Sequence, residues 1–309
     1  MAASEPNDFF SRHERRFEAN RFVYPVISRR SQGLSIGVNL NPDKVCNFDC
    51  VYCQVDRSVP GDTRFVDLDG LIDELAWMVP YCASGAIFEH EAFRDTPASL
   101  RRLSDLAFSG DGEPTTHVNF DEVIERCADI KRARVPSLPM ILITNASMLH
   151  RPHVLRGLSV LDRNHGEIWA KLDAGTAEYF ARINRTPVPF DQIVRNILRT
   201  ATDRPVVIQS LFLRYRDARP SSREIDAYIR RLCSFLAGGG RIRYVQVYTV
   251  ARRPAESFVA PLHDEELEEI RERIERESGI PARPFSGVVP EADRGRGPGL
   301  WDDRLEEGP

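Results

Sequence analysis

Cys46-Asn47-Phe48-Asp49-Cys50-Val51-Tyr52-Cys53 places three of the chain's six cysteines within eight residues, in the spacing CxxxCxxC. Thiols gathered this closely point to a metal site. Three thiolates are an incomplete set, and the metals that could use them differ in how the set is completed. A cubane iron–sulfur cluster is usually held by four Cys thiolates, so three from one loop leave one iron open to a ligand that is not protein. Zinc closes a structural site with four N or S ligands and a catalytic one with three and a water. The nearest downstream histidines, His90 and His117, do not follow at a zinc-knuckle spacing, which makes zinc the weaker reading. A disulfide framework is weaker still, because the cysteines cluster at one point of a long chain instead of spreading as in a small secreted domain.

Just upstream, Leu34-Ser35-Ile36-Gly37-Val38-Asn39-Leu40 alternates apolar with small or polar residues, the period of a strand. Asn41-Pro42-Asp43 breaks it and launches the cysteine loop. A loop at the carboxyl end of a parallel strand is where open α/β sheets and barrels keep their chemistry. Further upstream, a helix is expected at roughly Asp8 to Asn20, then an extended piece from Phe22 to Ile27. Downstream, Asp67 to Val79 turns to a helical period that Pro80 is expected to stop, and residues 81–100, without clean periodicity, read as an insertion.

Beyond it the pattern alternates. Strands are predicted at Asp105–Phe108, Met140–Thr144, Glu167–Asp173, Val206–Leu213 and Arg243–Val250. Helices are predicted near Phe120–Arg132, Leu149–Leu158, Ala177–Ile183, Phe190–Thr200, Ser222–Leu236 and Asp264–Glu277. Counting the strand before the cysteine loop, six strands separated by helices describe an α/β fold, a mostly parallel sheet wound toward a barrel but too short to close the eight-stranded form. The expected division is an N-terminal extension over 1–30, a core domain over 31–289, and a flexible tail over 290–309, where Gly, Pro, Arg and acids predominate.

Composition narrows the class. With 309 residues the chain can bury a substantial core, and 42% hydrophobic with 28% charged residues is ordinary for a soluble globular protein. The formal charge of −4 provides no global field to gather nucleic acid. No run of about 18 apolar residues predicts a membrane span, and no signal-peptide core precedes the first strand. A reducing, cytoplasmic setting suits unpaired thiols and a cluster alike. Lysine occurs only at Lys44, Lys131 and Lys171, so each stands where the arginine-rich background did not replace it. Cys82, Cys127 and Cys233 read as small hydrophobes of helical or irregular segments.

The CxxxCxxC spacing, with the aromatic Tyr52 before the last cysteine, resembles the signature of the radical S-adenosylmethionine (radical SAM) superfamily. The resemblance implies one [4Fe-4S] cluster on Cys46, Cys50 and Cys53, with S-adenosyl-L-methionine chelating the open iron. Reductive cleavage would then give a 5′-deoxyadenosyl radical that abstracts hydrogen from a substrate. It also implies an open six-stranded partial barrel. Ser109-Gly110-Asp111-Gly112-Glu113-Pro114-Thr115, at the end of the next strand, looks like the family's GGE-type turn with Asp111 replacing a glycine. By resemblance Gly110 and Gly112 admit the cofactor's methionine moiety, and Glu113 pairs with its ammonium. As residues alone, they read as an ordinary turn. Asn145, ending the third strand, is a ribose contact by resemblance or a helix cap by residue type.

The fourth strand is informative without any family. Ile168, Ala170 and Leu172 form one face, suited to packing under helices, and Glu167, Trp169, Lys171 and Asp173 form the other. Charges facing a barrel interior are costly unless paired or functional. Lys171 is therefore either an ion-pair partner of Asp173 or Glu167, or a contact to the cofactor's carboxylate or a substrate oxygen, oriented by Asp173. Gln209 on the fifth strand, and Gln246 and Tyr248 on the sixth, put neutral polar groups at the same depth for adenine or substrate, or as satisfied core groups. Arg252 and Arg253 follow at the carboxyl mouth, suited to a carboxylate or phosphate.

Over about residues 30–280, the cysteine loop, SGDGEPT, KLDAGT with Ile183-Asn184-Arg185, and VQVYTVARRPAE are most similar to the radical SAM branch that includes wyosine-base (tRNA tricyclic guanosine) synthases. Those tRNA enzymes carry further cysteines for a second cluster and a strongly basic surface. Here the spare cysteines are scattered and the charge is negative, so a tRNA substrate is not favoured and the substrate is unidentified. An external electron donor of flavodoxin or ferredoxin type is expected. The reading from another class is an iron–sulfur protein that only transfers electrons or binds a partner; it needs neither the SGDGEPT turn nor the polar strand face.

Overall fold

The computed structural model describes residues 17–287, save 62, 64, 253 and 255. The expected helix at 8–20 lies mostly, and the tail at 290–309 wholly, outside the described residues, as does Arg253. In chain order the strands are β1 (Val23–Ser28), β2 (Gly33–Val38), β3 (Leu103–Phe108), β4 (Met140–Thr144), β5 (Gly166–Lys171), β6 (Val206–Leu211), β7 (Leu213–Tyr215), β8 (Ile242–Tyr248), β9 (Val259–Pro261) and β10 (Ala282–Phe285). The helices are α1 (Leu68–Ala83), α2 (Phe120–Arg134), α3 (Pro152–Asp162), α4 (Ala177–Asn184), α5 (Phe190–Asp203), α6 (Ser222–Ala237) and α7 (Asp264–Ser278).

Eight strands form one curled, unclosed sheet in the order β1-β2-β3-β4-β5-β6-β8-β10. All neighbours are parallel except β1, which pairs antiparallel with β2. The partial barrel of mostly parallel strands is thus the observed architecture. It has more strands than the six predicted. β1 and β10 lie at the two edges, and each carries a proline, Pro25 and Pro284. A proline lacks the N–H that a central strand must donate, which is why these segments read poorly as strands and why they sit where one side needs no partner. β7 and β9 make a separate antiparallel ribbon.

Pro80 does not stop α1, which runs on to Ala83. The ring removes only one hydrogen bond in the last turn. Met78, Val79 and Cys82, all buried, hold that turn against the core. The segment read as an insertion includes two short 3₁₀ turns, Ala86–Glu89 and Ala98–Leu100, which bury Ile87, Phe88 and Leu100.

The main core lies between the sheet's outer face and the helices. Ile168, Ala170 and Leu172 pack there, with Ile193, Ile197 and Ala201 of α5 at helical spacing. The inner face carries a small apolar band of Ala107, Ile141, Trp169 and Val207. The alternation along β5 therefore has the predicted sense: apolar residues outward under helices, Trp169 and Lys171 inward.

Candidate functional site

A cavity of about 290 Å³ occupies the inside of the curled sheet, and Cys46, Cys50 and Cys53 all line it. The cysteine loop leaves the carboxyl end of β2 and is tied to elements far along the chain. Asp49 and Val51 donate their N–H groups to the carbonyls of Asn184 (3.2 Å) and Ile183 (2.9 Å) at the end of α4. Thr186 donates to the carbonyl of Asn47 at 2.8 Å. The Asn47 amide donates to Ser147 Oγ at 2.7 Å and accepts from Asn145 Nδ2 at 2.8 Å.

Each sulfur meets one nitrogen donor. The backbone N–H of Phe48 reaches Cys46 Sγ at 3.5 Å, Asn184 Nδ2 reaches Cys50 Sγ at 3.4 Å, and Arg57 Nη1 reaches Cys53 Sγ at 3.1 Å. Arg57 also donates to the carbonyls of Lys44 (3.0 Å) and Asp111 (3.4 Å), so it joins the loop to the β3 turn. Burial pushes the Cys46 thiol up, and pushes Cys50 up to about 11. A buried thiol that resists ionisation alone becomes a thiolate when a metal supplies the positive charge.

The three cysteines fit a cluster of several irons better than a single ion. Among the described residues, no three His, Cys, Asp or Glu groups come together as ligands of one metal ion, and no histidine lines the cavity. In a cubane each thiolate holds a different iron, so the sulfurs stand apart around one basin. Hydrogen bonds to the sulfurs are among the features that set such a cluster's potential. Cys82 and Cys127 are buried in the core, and Cys233 on α6 contacts the carbonyl of Glu277 at 3.8 Å. None of these three lines the cavity. The fourth corner of a cubane would thus be left to a ligand that is not one of the chain's cysteines. Asn184 Oδ1 is buried without a donor among the described residues, an acceptor available to such a molecule.

The β3 turn packs directly on the cysteine loop. A Cβ at Gly110 would stand 2.2 Å from Asn39 Oδ1, and one at Gly112 would stand 2.2 Å from the carbonyl oxygen of Val45. Both glycines serve a close approach of chain to chain. Asp111, the departure from a glycine pair, accepts from Asn39 Nδ2 at 2.6 Å. Glu113 is 3% exposed. Its Oε1 accepts from Thr115 N–H and hydroxyl and from Thr144 Oγ1 (2.6 Å), and its Oε2 accepts from the Asn145 N–H at 2.6 Å. Burial raises its pKa while these donors oppose the rise. With one donor, Oε2 retains capacity for a second. Asn145 Oδ1 accepts from Ser147 N–H (3.0 Å) and hydroxyl (2.6 Å), so its amide bridges the cysteine loop and the start of the next segment.

Lys171 lies over the ring of Tyr52, its ammonium 4.6 Å from the centroid, and bonds to the Tyr248 phenol. Asp173 makes no direct bond to it. One carboxylate oxygen accepts from the Tyr52 hydroxyl and from Asn184 Nδ2 (3.2 Å), and the other accepts from the Leu211 N–H at 3.0 Å. Asp173 thus acts on Lys171 by charge, and the Tyr52 hydroxyl it accepts from belongs to the ring that the ammonium lies over. Burial alone would lower the lysine's pKa, but the neighbouring Tyr248, Asp173 and Cys50 overrule it and hold the ammonium charged. Glu167, the other candidate partner, pairs with Arg243 at 2.6 Å and accepts from Trp169 Nε1 at 3.0 Å. Gln209 donates to Gln246 Oε1 at 2.8 Å, so the two amides of β6 and β8 satisfy one another at cavity depth. Arg252 donates to Gln54 Oε1 at 3.2 Å beside the mouth.

The sequence reading overlooked Arg57, Arg30 and Asp105, all of which line the cavity. Arg57 is four residues past the last cysteine, a local signal that could have marked it. The other two come from segments with no chemical pattern of their own.

No family model matches the chain. Curated relatives include a UPF0026 protein of Methanocaldococcus jannaschii, 30% identical over 161 residues (52% of this chain, 43% of that protein). Another, from Synechocystis sp., is 27% identical over 181 residues, 57% of each chain. A protein named GTPase Obg, of Brachyspira hyodysenteriae, is 24% identical over 269 residues, 86% of this chain but 35% of that protein. The chain thus spans from 35% to 57% of the length of these relatives. No lysine here follows a glycine, so this chain has no GxxxxGK[ST] phosphate loop to go with a GTPase name. Similar solved structures include TYW1 with a lysine-pyruvate adduct bound, 14% identical with TM-score 0.49, covering 80% of this chain and 74% of that one. Archaeal TYW1 is 11% identical with TM-score 0.44, covering 80% and 73%. Likeness at this level carries no argument about this chain's own reaction.

Proposed function

We propose that the protein is a radical SAM enzyme that holds one [4Fe-4S] cluster on Cys46, Cys50 and Cys53 and acts on a substrate bound in the same cavity. When bound, the cluster and S-adenosylmethionine would supply reductive cleavage to a 5′-deoxyadenosyl radical that abstracts hydrogen, with the electron coming from an external flavodoxin- or ferredoxin-type donor. The observation that carries this reading is the trio of cavity-lining sulfurs, each with one nitrogen donor and with no fourth cysteine beside them.

The chain's own groups then divide the work. Phe48 and Asn184 oppose part of what burial does to Cys46 and Cys50, since a donor N–H favours the charged form, and Arg57 holds the Cys53 sulfur by a hydrogen bond. Lys171, held as an ammonium, offers a positive charge to a carboxylate of the cofactor or an oxygen of the substrate. Asp173 and Tyr52 fix where that charge stands. Glu113 brackets the ends of β3 and β4, and its Oε2 can take one further donor such as an ammonium.

Anaerobic reconstitution with iron and sulfide tests the reading. About four irons per chain and reductant-dependent 5′-deoxyadenosine from S-adenosylmethionine are expected. Both should be lost when Cys46, Cys50 and Cys53 are replaced together by alanine. A loaded cluster that yields no deoxyadenosine would leave the electron-transfer reading in its place.

One observation favours a tRNA substrate as second choice. Beside the cysteine loop, the guanidiniums of Arg182, Arg185 and Arg216 lie over Tyr215 or Phe258 at 5.7–5.8 Å. Arg182 and Arg185 already pair with Glu178 and Glu256, which lowers their pull on phosphate. Salt-dependent tRNA binding would separate the two.

A further inference from the structure

Beyond Lys171 the cavity reaches the turn joining β1 and β2, where two charged groups are left open. Arg30 rises from that turn, its guanidinium carbon 5.8 Å from the ring centre of Trp169 and 5.3 Å from that of Tyr248. No acceptor among the described residues takes its N–H groups. Asp105 on β3 is 1% exposed. Its Oδ1 accepts from Ser35; Oδ2 has no hydrogen-bond partner within normal distance among the described residues, although the Ser31 hydroxyl also stands near the carboxyl. Both residues line the cavity; no ion pair within 4 Å joins them, although Arg30 is near enough for its charge to oppose the rise that burial gives the Asp105 carboxyl. A buried carboxylate oxygen left without a donor is among the costlier features a core can hold, so its retention calls for a reason.

We propose that this inner stretch binds the head of the substrate, a small zwitterion of the α-amino-acid type whose carboxylate meets Arg30 and whose ammonium meets Asp105. The aromatic faces of Trp169 and Tyr248 hold the guanidinium plane while leaving its donor edge free, the arrangement that suits two parallel bonds to a carboxylate. The free oxygen of Asp105 sits in a desolvated wall, where a cation gains more than it would in water. A phosphate monoester would satisfy Arg30 but bring two negative charges toward Asp105, and a simple carboxylic acid would leave Asp105 unpaired. Ala107, Ile141 and Val207 with Trp169 make an adjoining apolar surface for a side chain. What becomes of the bound molecule rests on the radical chemistry proposed above; its binding does not.

Calorimetric titration of the reconstituted protein with each of the twenty proteinogenic amino acids tests this directly. Any binder is then compared with its decarboxylated amine, its deaminated acid and inorganic phosphate. At least one amino acid is expected to bind with Kd below about 1 mM, and each singly charged analogue at least tenfold more weakly. Arg30→Gln and Asp105→Asn, checked for folding by circular dichroism, should each weaken that binding at least tenfold. The proposal is overturned if no amino acid binds, if an analogue or phosphate binds as well, or if both folded variants bind like the parent protein. Should either variant fail to fold, the analogue series on the parent protein decides alone. Deoxyadenosine formation in the same preparation reports separately on the radical reading. Its absence alongside intact amino-acid binding sinks that reading and supports the subsite, and the converse sinks the subsite.

Discussion

Lys171 keeps its charge inside a barrel because the ring of Tyr52, the Tyr248 phenol and the nearby Asp173 surround it. Lys171→Ala should reduce deoxyadenosine formation at least tenfold, while iron and sulfide content stay at the parent level, since none of the three sulfurs depends on it for a hydrogen bond. Unchanged turnover would remove its role. Asp105 makes a prediction about stability. Burial raises its folded pKa above 3.8, so the native state holds this proton more tightly than the unfolded chain. The stability it contributes is full below the ordinary carboxylate value and is lost as pH rises through the folded value. Asp105→Asn removes that loss, so it should stabilise the fold by about 1–3 kcal/mol at pH 8 and by less at pH 4, measured by urea unfolding. A destabilised variant at pH 8 would show that the lone oxygen is satisfied in solution. At this scale the placement of the three cysteines, Lys171 and Asp173 in the cavity was readable, because their spacing or the parity of the predicted strand sets them apart. Asp105 was not, since an acid in a strand declares its loneliness only when its neighbours are known. The donor role of Asn184 toward Cys50 was equally hidden, for 134 positions separate the two.

Strand β2, the cysteine loop and the β3 turn form one packed unit, in which Gly112 meets the carbonyl of Val45 and Arg57 crosses from Cys53 to Asp111. Gly112→Ala would force a backbone shift against another backbone, a cost of about 1–3 kcal/mol. The expected outcome is a lower urea midpoint together with reduced iron retention; an unaltered midpoint would mean that the turn is looser than its contacts indicate. The long helices were legible from their apolar period: α5, α6 and α7 start where they were expected and end within a few residues. Where reading failed, a competing force outweighed the local rule. Pro80 was taken as a stop, yet burial of Met78, Val79 and Cys82 outweighs one missing hydrogen bond. β10 is only four residues long and holds Arg283 and Pro284, so its pairing with β8 has no periodic trace.

The sheet as a whole stays open, and its two edges are β1 and β10. Arg29, in the β1–β2 turn, donates to the carbonyl of Ser286 just past β10, which spans the gap at one end. Pro25 and Pro284 keep both edges from offering an unbroken row of hydrogen-bonding groups to another molecule. Replacing both by valine should leave the fold intact but produce additional concentration-dependent association, relative to the parent protein, in size-exclusion chromatography. A variant that remains monodisperse would show that the edges are protected by other means. That the strand order follows the chain from β1 through β6 made the architecture predictable from alternation alone, whereas the number of strands depended on edges whose sequences do not look like strands.

The donor to Cys50 belongs to the last residue of α4, and Arg57 and Phe48 lie close beside their own sulfurs. A ribosome that has released only the first half of the chain has therefore delivered all three loop thiols but not every nitrogen that steadies them. Were the loop to hold the proposed cluster, its loading would fall late in the protein's biogenesis, after the downstream strands have closed round the loop, and a truncated product would bind iron but fail to keep it.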